Sequence, residues 1–347
     1  MLLHGIFPPI ATPFYPDGKV YFKKLEHNVA RYSKTPIAGI VVLGSTGEAI
    51  LLSDEERRDV FKCARENAAP DKVLIAGTGI ESAIETLRLT EQAAKLGYDV
   101  AMVRTPHYYK KQMHPQNLLA FYRTVADQSP LPVIIYNFPQ ATGYDIPAEV
   151  VTELAEHPNL IGIKESCGVI EKIKKMVDST RHVHFETTVT EVFAAVTPRM
   201  MTACASSAGP DMVAAESLGG VATAAPARIK TRKKEVGFQV LVGSAQSLKP
   251  SLDVGAVGAI LAFADAAPTA CYEIYAAYKE EDMALAEEKQ KRIAQAAVDV
   301  VGKLGVPGVK YGMDLNGYYG GPSRLPFLPL TAEQKADVER LMADIRN

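Results

Sequence analysis

Two apolar runs in this chain close on a residue whose side chain can do chemistry. Leu160-Ile161-Gly162-Ile163 closes on Lys164, and Pro132-Val133-Ile134-Ile135 closes on Tyr136. Lysine is among the residues least often buried. A lysine so placed either snorkels its ammonium into solvent or holds its amine in a dry pocket. Dryness disfavours the ammonium, lowers its pKa and leaves a free amine able to attack a carbonyl carbon. A phenol beside that amine could shuttle protons. Ser45, Thr46 and Ser166 add hydroxyls that could hold a carboxylate, and His107, Tyr108 and Tyr109 add further polar groups. An amine, a phenol and hydroxyls are what imine chemistry on a keto acid requires. Tyr136 alone would be a weak signal, because a tyrosine at a strand end commonly anchors packing.

These groups act together only if the chain brings their strand ends to one place. Residues 39–44, 73–77, 100–103, 132–136, 160–164, 238–243 and 257–261 are short continuous apolar runs, the pattern of strands buried on both faces. Residues 5–14, apolar and punctuated by prolines, read as the first strand and its exit. Helical spacing follows at residues 20–32, 82–96, 117–127, 148–156 and 169–177. Ser53 with Glu56 predicts a capping box opening another helix, and Gly97 predicts a helix end. Alternating strands and helices imply a parallel sheet, and eight such units imply an α/β chain closed into a (β/α)8 TIM barrel. The alternative is an open doubly wound sheet, for which the first strand lacks the Gly-x-Gly-x-x-Gly turn. In a barrel the site lies at the C-terminal strand ends. Ser45, Thr46, His107, Tyr108, Tyr136, Lys164, Ser166, Gly243 and Ser244 all fall there. Within the sixth strand, Leu160, Gly162 and Lys164 are expected on one face, with Gly162 leaving room for the lysine stem.

Composition narrows the partners. The 347 residues are 47% hydrophobic and 22% charged, with a formal net charge of −2. That is ordinary for a globular protein and offers no basic footprint for nucleic acid. Cys63, Cys167, Cys204 and Cys271 lack zinc-ligand spacing and read as reduced packing thiols, with Cys167 near enough to Lys164 to border a site. No run approaches the roughly 18 apolar residues of a membrane span, and the N-terminus is short for a leader, so a cytoplasmic, small-molecule protein is expected. The barrel is expected over residues 1–266 and a C-terminal helical extension over 267–347. Between strands six and seven, residues 183–230 exceed what a βα connection needs. They are expected to form an insertion, a loosely ordered surface excursion.

Gly44-Ser45-Thr46-Gly47-Glu48, Tyr136-Asn137-Phe138-Pro139 and Gly162-Ile163-Lys164-Glu165-Ser166 stand in this order at three strand ends. Together they resemble the dihydrodipicolinate synthase / N-acetylneuraminate lyase family of class I aldolases, over nearly the whole chain outside the insertion. The resemblance implies a pyruvate-binding lyase, working without metal or organic cofactor, assembled as a homo-oligomer (a dimer or tetramer). It makes Lys164 the residue that forms a Schiff base and Tyr136 the proton relay. It makes Thr46 the hydroxyl between Tyr136 and a second tyrosine, Tyr108 or its neighbour Tyr109, donated by the adjoining subunit. Gly44, Ser45 and Thr46 resemble the pyruvate-carboxylate site, and Gly243 and Ile260 match main-chain positions lining the pocket.

The subfamily is read from finer differences. Where dihydrodipicolinate synthases carry an arginine for the second substrate's carboxylate, this chain has Ala141, and a methyl group cannot replace a bidentate clamp. Gly305-Val306-Pro307-Gly308-Val309-Lys310, Gly317-Tyr318-Tyr319-Gly320-Gly321-Pro322, residues 238–245 and Ser166 are similar to 4-hydroxy-2-oxoglutarate aldolases. In those enzymes Ser45 and Ser166 would contact substrate, and Asn stands where this chain has Thr46. The expected reaction is cleavage of 4-hydroxy-2-oxoglutarate to pyruvate and glyoxylate. The alternatives are dihydrodipicolinate synthase, a 2-keto-3-deoxy sugar-acid aldolase, and a catalytically silent barrel used for binding.

Overall fold

The computed structural model describes residues 1–207 and 229–345. Its strands are β1 (Gly5–Phe7), β2 (Gly39–Val42), β3 (Val73–Gly77), β4 (Val100–Arg104), β5 (Val133–Asn137), β6 (Leu160–Glu165), β7 (His184–Thr190), β8 (Thr231–Gly237), β9 (Gln239–Val242) and β10 (Gly258–Ile260). Eight form one parallel sheet in the order β1-β10-β9-β6-β5-β4-β3-β2. The amides of Ala38 and Val41 donate to the carbonyls of Ile6 and Pro8 at 3.0 and 2.9 Å, which joins β2 to β1 and closes the barrel. The first strand is shorter than the apolar run predicts. Pro8 and Pro9 follow Phe7 and have no N–H to donate to a ladder.

The barrel has two packed layers. Leu3, Phe7, Ile75, Met102, Ile134 and Ile260 fill its interior, while a larger cluster seals the strands against the surrounding helices. Ser53 caps its helix with the expected reciprocal bonds to Glu56. Gly97 ends the next helix in the left-handed conformation, φ 83°. Helices at Pro268–Lys279, Met283–Ala296, Gly305–Leu315 and Ala332–Met342 form the C-terminal extension. Among the described residues, no helix is long and apolar enough to cross a membrane.

The segment between β6 and β9 is more regular than its composition suggests. β7 and β8 pair as an antiparallel hairpin, with Thr187 opposite Lys234, and Pro198–Ser207 is a helix. Arg199 anchors this excursion. It donates to the carbonyls of Ala69 and Lys72 and pairs with Asp99 at 3.2 Å, with both side chains buried. Ala69 and Lys72 precede β3 and Asp99 precedes β4. Arg199 therefore ties the described part of the excursion under the N-terminal face of the barrel, away from the strand ends predicted to carry chemistry. The remainder of the expected insertion, residues 208–228, lies outside the described residues.

Candidate active site

Parallel pairing aligns three polar side chains in one row. Arg104 of β4 pairs with Tyr136 of β5, and Tyr136 pairs with Lys164 of β6. Partners in register point to the same face of a sheet. Here that face is the barrel interior, because Met102 and Ile134, two positions earlier on β4 and β5, belong to the inner cluster. The row thus crowns the inner core at the C-terminal mouth.

A bulge adjusts the third strand. The β5–β6 register shifts between Val133 and Ile134, so that Val133 pairs with Leu160 but Ile134 with Gly162. The extra residue, Ile161, turns inward while Leu160 and Ile163 join the outer cluster. Leu160 therefore does not share a face with Lys164. Gly162 also has a different cause from the one expected. A Cβ there would lie 2.3 Å from the Gln239 carbonyl oxygen of the adjoining strand, so close backbone approach requires glycine.

Lys164 is only 4% exposed. Burial pushes its ammonium down to about 7, with the nearby Asp265 opposing the shift. Asp265 is itself sealed, and burial holds its carboxyl well above the usual range. The Lys164 Nζ lies over the Tyr136 ring, 4.1 Å from its centre. Near neutral pH this site holds a substantial fraction of free amine against an aromatic face. Burial drives the Tyr136 phenol up to about 12, while its hydrogen bond with Ser45 and the Arg104 charge act in the other direction. The Tyr136 hydroxyl therefore keeps its proton at rest and can give it up only to a strong base forming beside it.

Behind the row a polar network fixes β5 and β6. The Asn137 amide donates to both Glu165 oxygens at 2.9 Å and to Asp145 at 2.7 Å. Lys172 pairs with Glu165 at 3.1 Å, and Glu165 accepts the Cys167 amide at 2.7 Å. These bonds hold the residues after Tyr136 and Lys164 and so restrain both backbones. Burial and the neighbouring Glu165 push the Cys167 thiol up to about 11, which leaves it protonated and weakly reactive.

The loop after β2 supplies the hydroxyl that meets Tyr136. Ser45 Oγ lies 3.2 Å from the Tyr136 hydroxyl. Thr46, one position on, is buried, and among the described residues no hydrogen bond joins it to Tyr136. Leu43 and Glu48 bracket this loop with φ of 62° and 54°, a left-handed conformation that costs a non-glycine residue free energy. Something must hold it, and the C-terminal extension does. Lys310 pairs with Glu48 at 2.5 Å with both side chains at 1% exposure or less. The Arg324 amide donates to Glu48 at 2.8 Å, and its guanidinium caps Leu51, Gly18 and Glu56. Both cations sit over the Phe14 ring.

The remaining sequence-derived residues fall around this mouth. Ser166 is buried, and its Oγ fills the space beside Gly243, where a Cβ would meet it at 1.9 Å. Ile260 belongs to the inner cluster. Gly44, Ser45, Tyr136 and Tyr108 line a cavity of about 240 Å³ that stops short of Lys164. Tyr108 and Tyr109 are mostly exposed, at 76% and 64%.

Sequence reasoning passed over three residues of this cavity, Glu81, Arg104 and Arg57. Arg104 carried a readable signal, since Val100-Ala101-Met102-Val103-Arg104 is another apolar run closing on a cation. Glu81 follows β3 and had no motif to mark it. It pairs with Arg104 at 3.1 Å and His107 at 2.5 Å, and accepts the amides of His107 and Tyr108. Burial and the Arg104 charge lower the His107 pKa, and Glu81 opposes the shift. Among the described residues no cluster of His, Cys, Asp and Glu could hold a metal ion.

Comparison with known proteins spans nearly the whole chain. The dihydrodipicolinate synthetase family model covers residues 2–201 and 210–345. The 4-hydroxy-tetrahydrodipicolinate synthase of Methanothrix thermoacetophila is 28% identical over 99% of this chain and 98% of its own. A probable mitochondrial 4-hydroxy-2-oxoglutarate aldolase of Emericella nidulans is 29% identical over 99% of this chain and 95% of its own. Among solved structures, a chloride-inhibited dihydrodipicolinate synthase of Acinetobacter baumannii complexed with pyruvate has a TM-score of 0.79 at 26% identity, covering 99% of both chains.

Proposed function

The chain belongs to the dihydrodipicolinate synthetase family and is a lyase of the Schiff-base aldolase kind, and from that premise we propose that it binds pyruvate and cleaves 4-hydroxy-2-oxoglutarate to pyruvate and glyoxylate. One observation carries the reading: a buried amine with a pKa near 7 lies against a phenol at the mouth of the barrel. The neutral Lys164 amine adds to the C2 carbonyl, and the carbinolamine hydroxyl leaves as water with the proton of Tyr136, passed through Ser45, which gives a protonated imine and a phenolate. That phenolate then takes the proton of the C4 hydroxyl. The C3–C4 bond breaks, its electron pair moves into the imine, and glyoxylate leaves as the aldehyde. Tyr136 returns the proton to C3 of the resulting enamine, and water releases pyruvate from Lys164. The amides of Ser45 and Thr46 donate to no acceptor among the described residues and suit the pyruvate carboxylate.

Ala141 supports the hydroxy-oxoglutarate reading over condensation with aspartate semialdehyde. The 4-hydroxy-tetrahydrodipicolinate synthase relative favours the condensation as a second reading. Tyr108, exposed in the single chain beside the cavity, fits a homo-oligomer in which a second copy covers it. Incubation with pyruvate and borohydride, followed by peptide mass spectrometry, tests the chemistry. Reduction should fix a pyruvate-derived adduct on Lys164, and an adduct elsewhere, or none, refutes it. Comparing cleavage of 4-hydroxy-2-oxoglutarate with condensation of pyruvate and aspartate semialdehyde then separates the two substrates.

A further inference from the structure

The order of side chains in the register row is Arg104, Tyr136, Lys164. The function proposed above places an imine on Lys164 and a hydroxyl proton on Tyr136, and this inference rests on it. Along 4-hydroxy-2-oxoglutarate the groups run in the matching order: terminal carboxylate, hydroxyl-bearing carbon, keto carbon. The remaining member of the row would then meet the carboxylate.

Arg104 is built for such a contact. Its guanidinium lines the cavity together with Ser45 and Tyr136. Only Nη1 is engaged, with Glu81 at 3.1 Å and with His107. Nε and Nη2 have no hydrogen-bond partner among the described residues. They are not sealed either, in contrast to Nε of Arg65 and Arg199, which are buried and unpartnered. The Nε and Nη2 edge is therefore accessible on a residue that lines the cavity, and it is an edge that grips a carboxylate through two parallel hydrogen bonds.

Glu81 does not occupy that edge. Its second oxygen already accepts the His107 and Tyr108 amides at 2.9 and 3.1 Å. The carboxylate is tied to backbone and serves to aim the guanidinium. Arg104 and Lys164 are two strands apart, about 9.5 Å between backbones. In register they flank Tyr136 on one face of the sheet, a spacing in the range of a short diacid. Arg57, another cation on the cavity wall, is committed to the Ala49 carbonyl and Asp54.

We propose that Arg104 determines specificity by binding, through Nε and Nη2, the carboxylate that leaves on the aldehyde product. The site then selects aldehydes that carry an α-carboxylate over neutral aldehydes of similar size.

The test pairs Arg104→Met and Arg104→Gln with two aldehydes, glyoxylate and acetaldehyde, each condensed with pyruvate. Borohydride trapping of pyruvate on Lys164 is measured alongside and reports an intact imine site. The wild-type chain should prefer glyoxylate, and both variants should lose about 10- to 100-fold in kcat/KM for glyoxylate, the effect of a lost charge-assisted hydrogen bond. Trapping should change less than threefold, and the acetaldehyde reaction, which feels only the Arg104 charge on Tyr136, should fall by at least tenfold less than the glyoxylate reaction. Equal loss with both aldehydes while trapping persists would overturn the inference, as would an unchanged glyoxylate rate or a wild-type chain without preference. Absence of trapping in the wild-type chain would instead overturn the function on which the inference rests. If Arg104→Met fails to fold, Arg104→Gln, which keeps hydrogen-bond donors toward Glu81, gives the same comparison.

Discussion

Lys164→Met replaces a buried amine by a thioether of similar reach, and it should make the protein more stable while abolishing imine formation. Unfolded, the lysine keeps its proton to about 10.5; folded, burial lowers that to about 7. Between those values the unfolded chain binds more protons than the folded one, so native stability rises with pH across the window. The penalty is complete below about pH 7 and gone above about pH 10.5. At about 1.4 kcal/mol per pH unit, burying this amine costs about 4 kcal/mol at pH 7 and about 2 kcal/mol at pH 9. The methionine variant has no such dependence. Urea denaturation of both proteins at pH 7 and pH 9, at one protein concentration because assembly adds to stability, gives the four free energies. The advantage of the variant should shrink by about 2 kcal/mol between the two pH values. Parallel pH dependence of the two proteins would refute the reasoning, for it would mean that Lys164 keeps an ordinary pKa in the fold.

The same amine sets a kinetic limb: the rate of pyruvate imine formation, followed by quenched trapping, should rise from pH 6 to pH 8 with a midpoint near 7, and a midpoint above 9 would contradict it. Tyr136→Phe keeps the aromatic face under Lys164 but loses the proton carrier, so trapping should persist while steady-state cleavage falls by about 10²- to 10⁴-fold. Glu48→Gln leaves Lys310 charged and sealed, which should cost about 3 to 5 kcal/mol in urea titrations, and adding Lys310→Met should recover much of it. Arg199→Ala strands Asp99 under the barrel and should lower stability by about 3 kcal/mol, with kcat and KM of the folded fraction unchanged because the contact lies opposite the mouth.

Strand runs and helix caps were legible because each rests on local chemistry. The apolar runs mark strands covered on both faces, and Ser53 with Glu56 marks a helix start whatever surrounds it. Lys164 and Tyr136 were legible because a polar residue ending such a run needs a reason. Arg104 obeys the same rule and was missed, since an arginine at a strand end is easily taken for one reaching solvent. The bulge at Ile161 was hidden because it depends on how β5 and β6 pair, and pairing is a property of two segments. The neighbouring hydroxyls Ser45 and Thr46 look equivalent along the chain, and only the left-handed turns at Leu43 and Glu48 aim Ser45 at Tyr136. The helix at Pro198–Ser207 falls inside the stretch expected to be loosely ordered, and what anchors it is the buried Arg199.

The clasp between Glu48 and the C-terminal extension also has a consequence in time. The Arg324 amide reaches Glu48 across 276 positions of chain. At about 5 to 20 residues per second, a ribosome takes roughly 15 to 55 s to pass from one to the other. β10 ends at Ile260, so every strand of the barrel is made well before Lys310 and Arg324 emerge. Until then Glu48, in its left-handed conformation, lacks its partners Lys310 and Arg324. The nascent chain is thus a barrel whose Glu48 turn is unclasped until residues 310 and 324 are free of the ribosome. Trapping pyruvate on ribosome-arrested chains of increasing length would show this as an adduct that reaches full yield only once residue 324 has cleared the ribosome; full yield on chains arrested near residue 280 would rule it out.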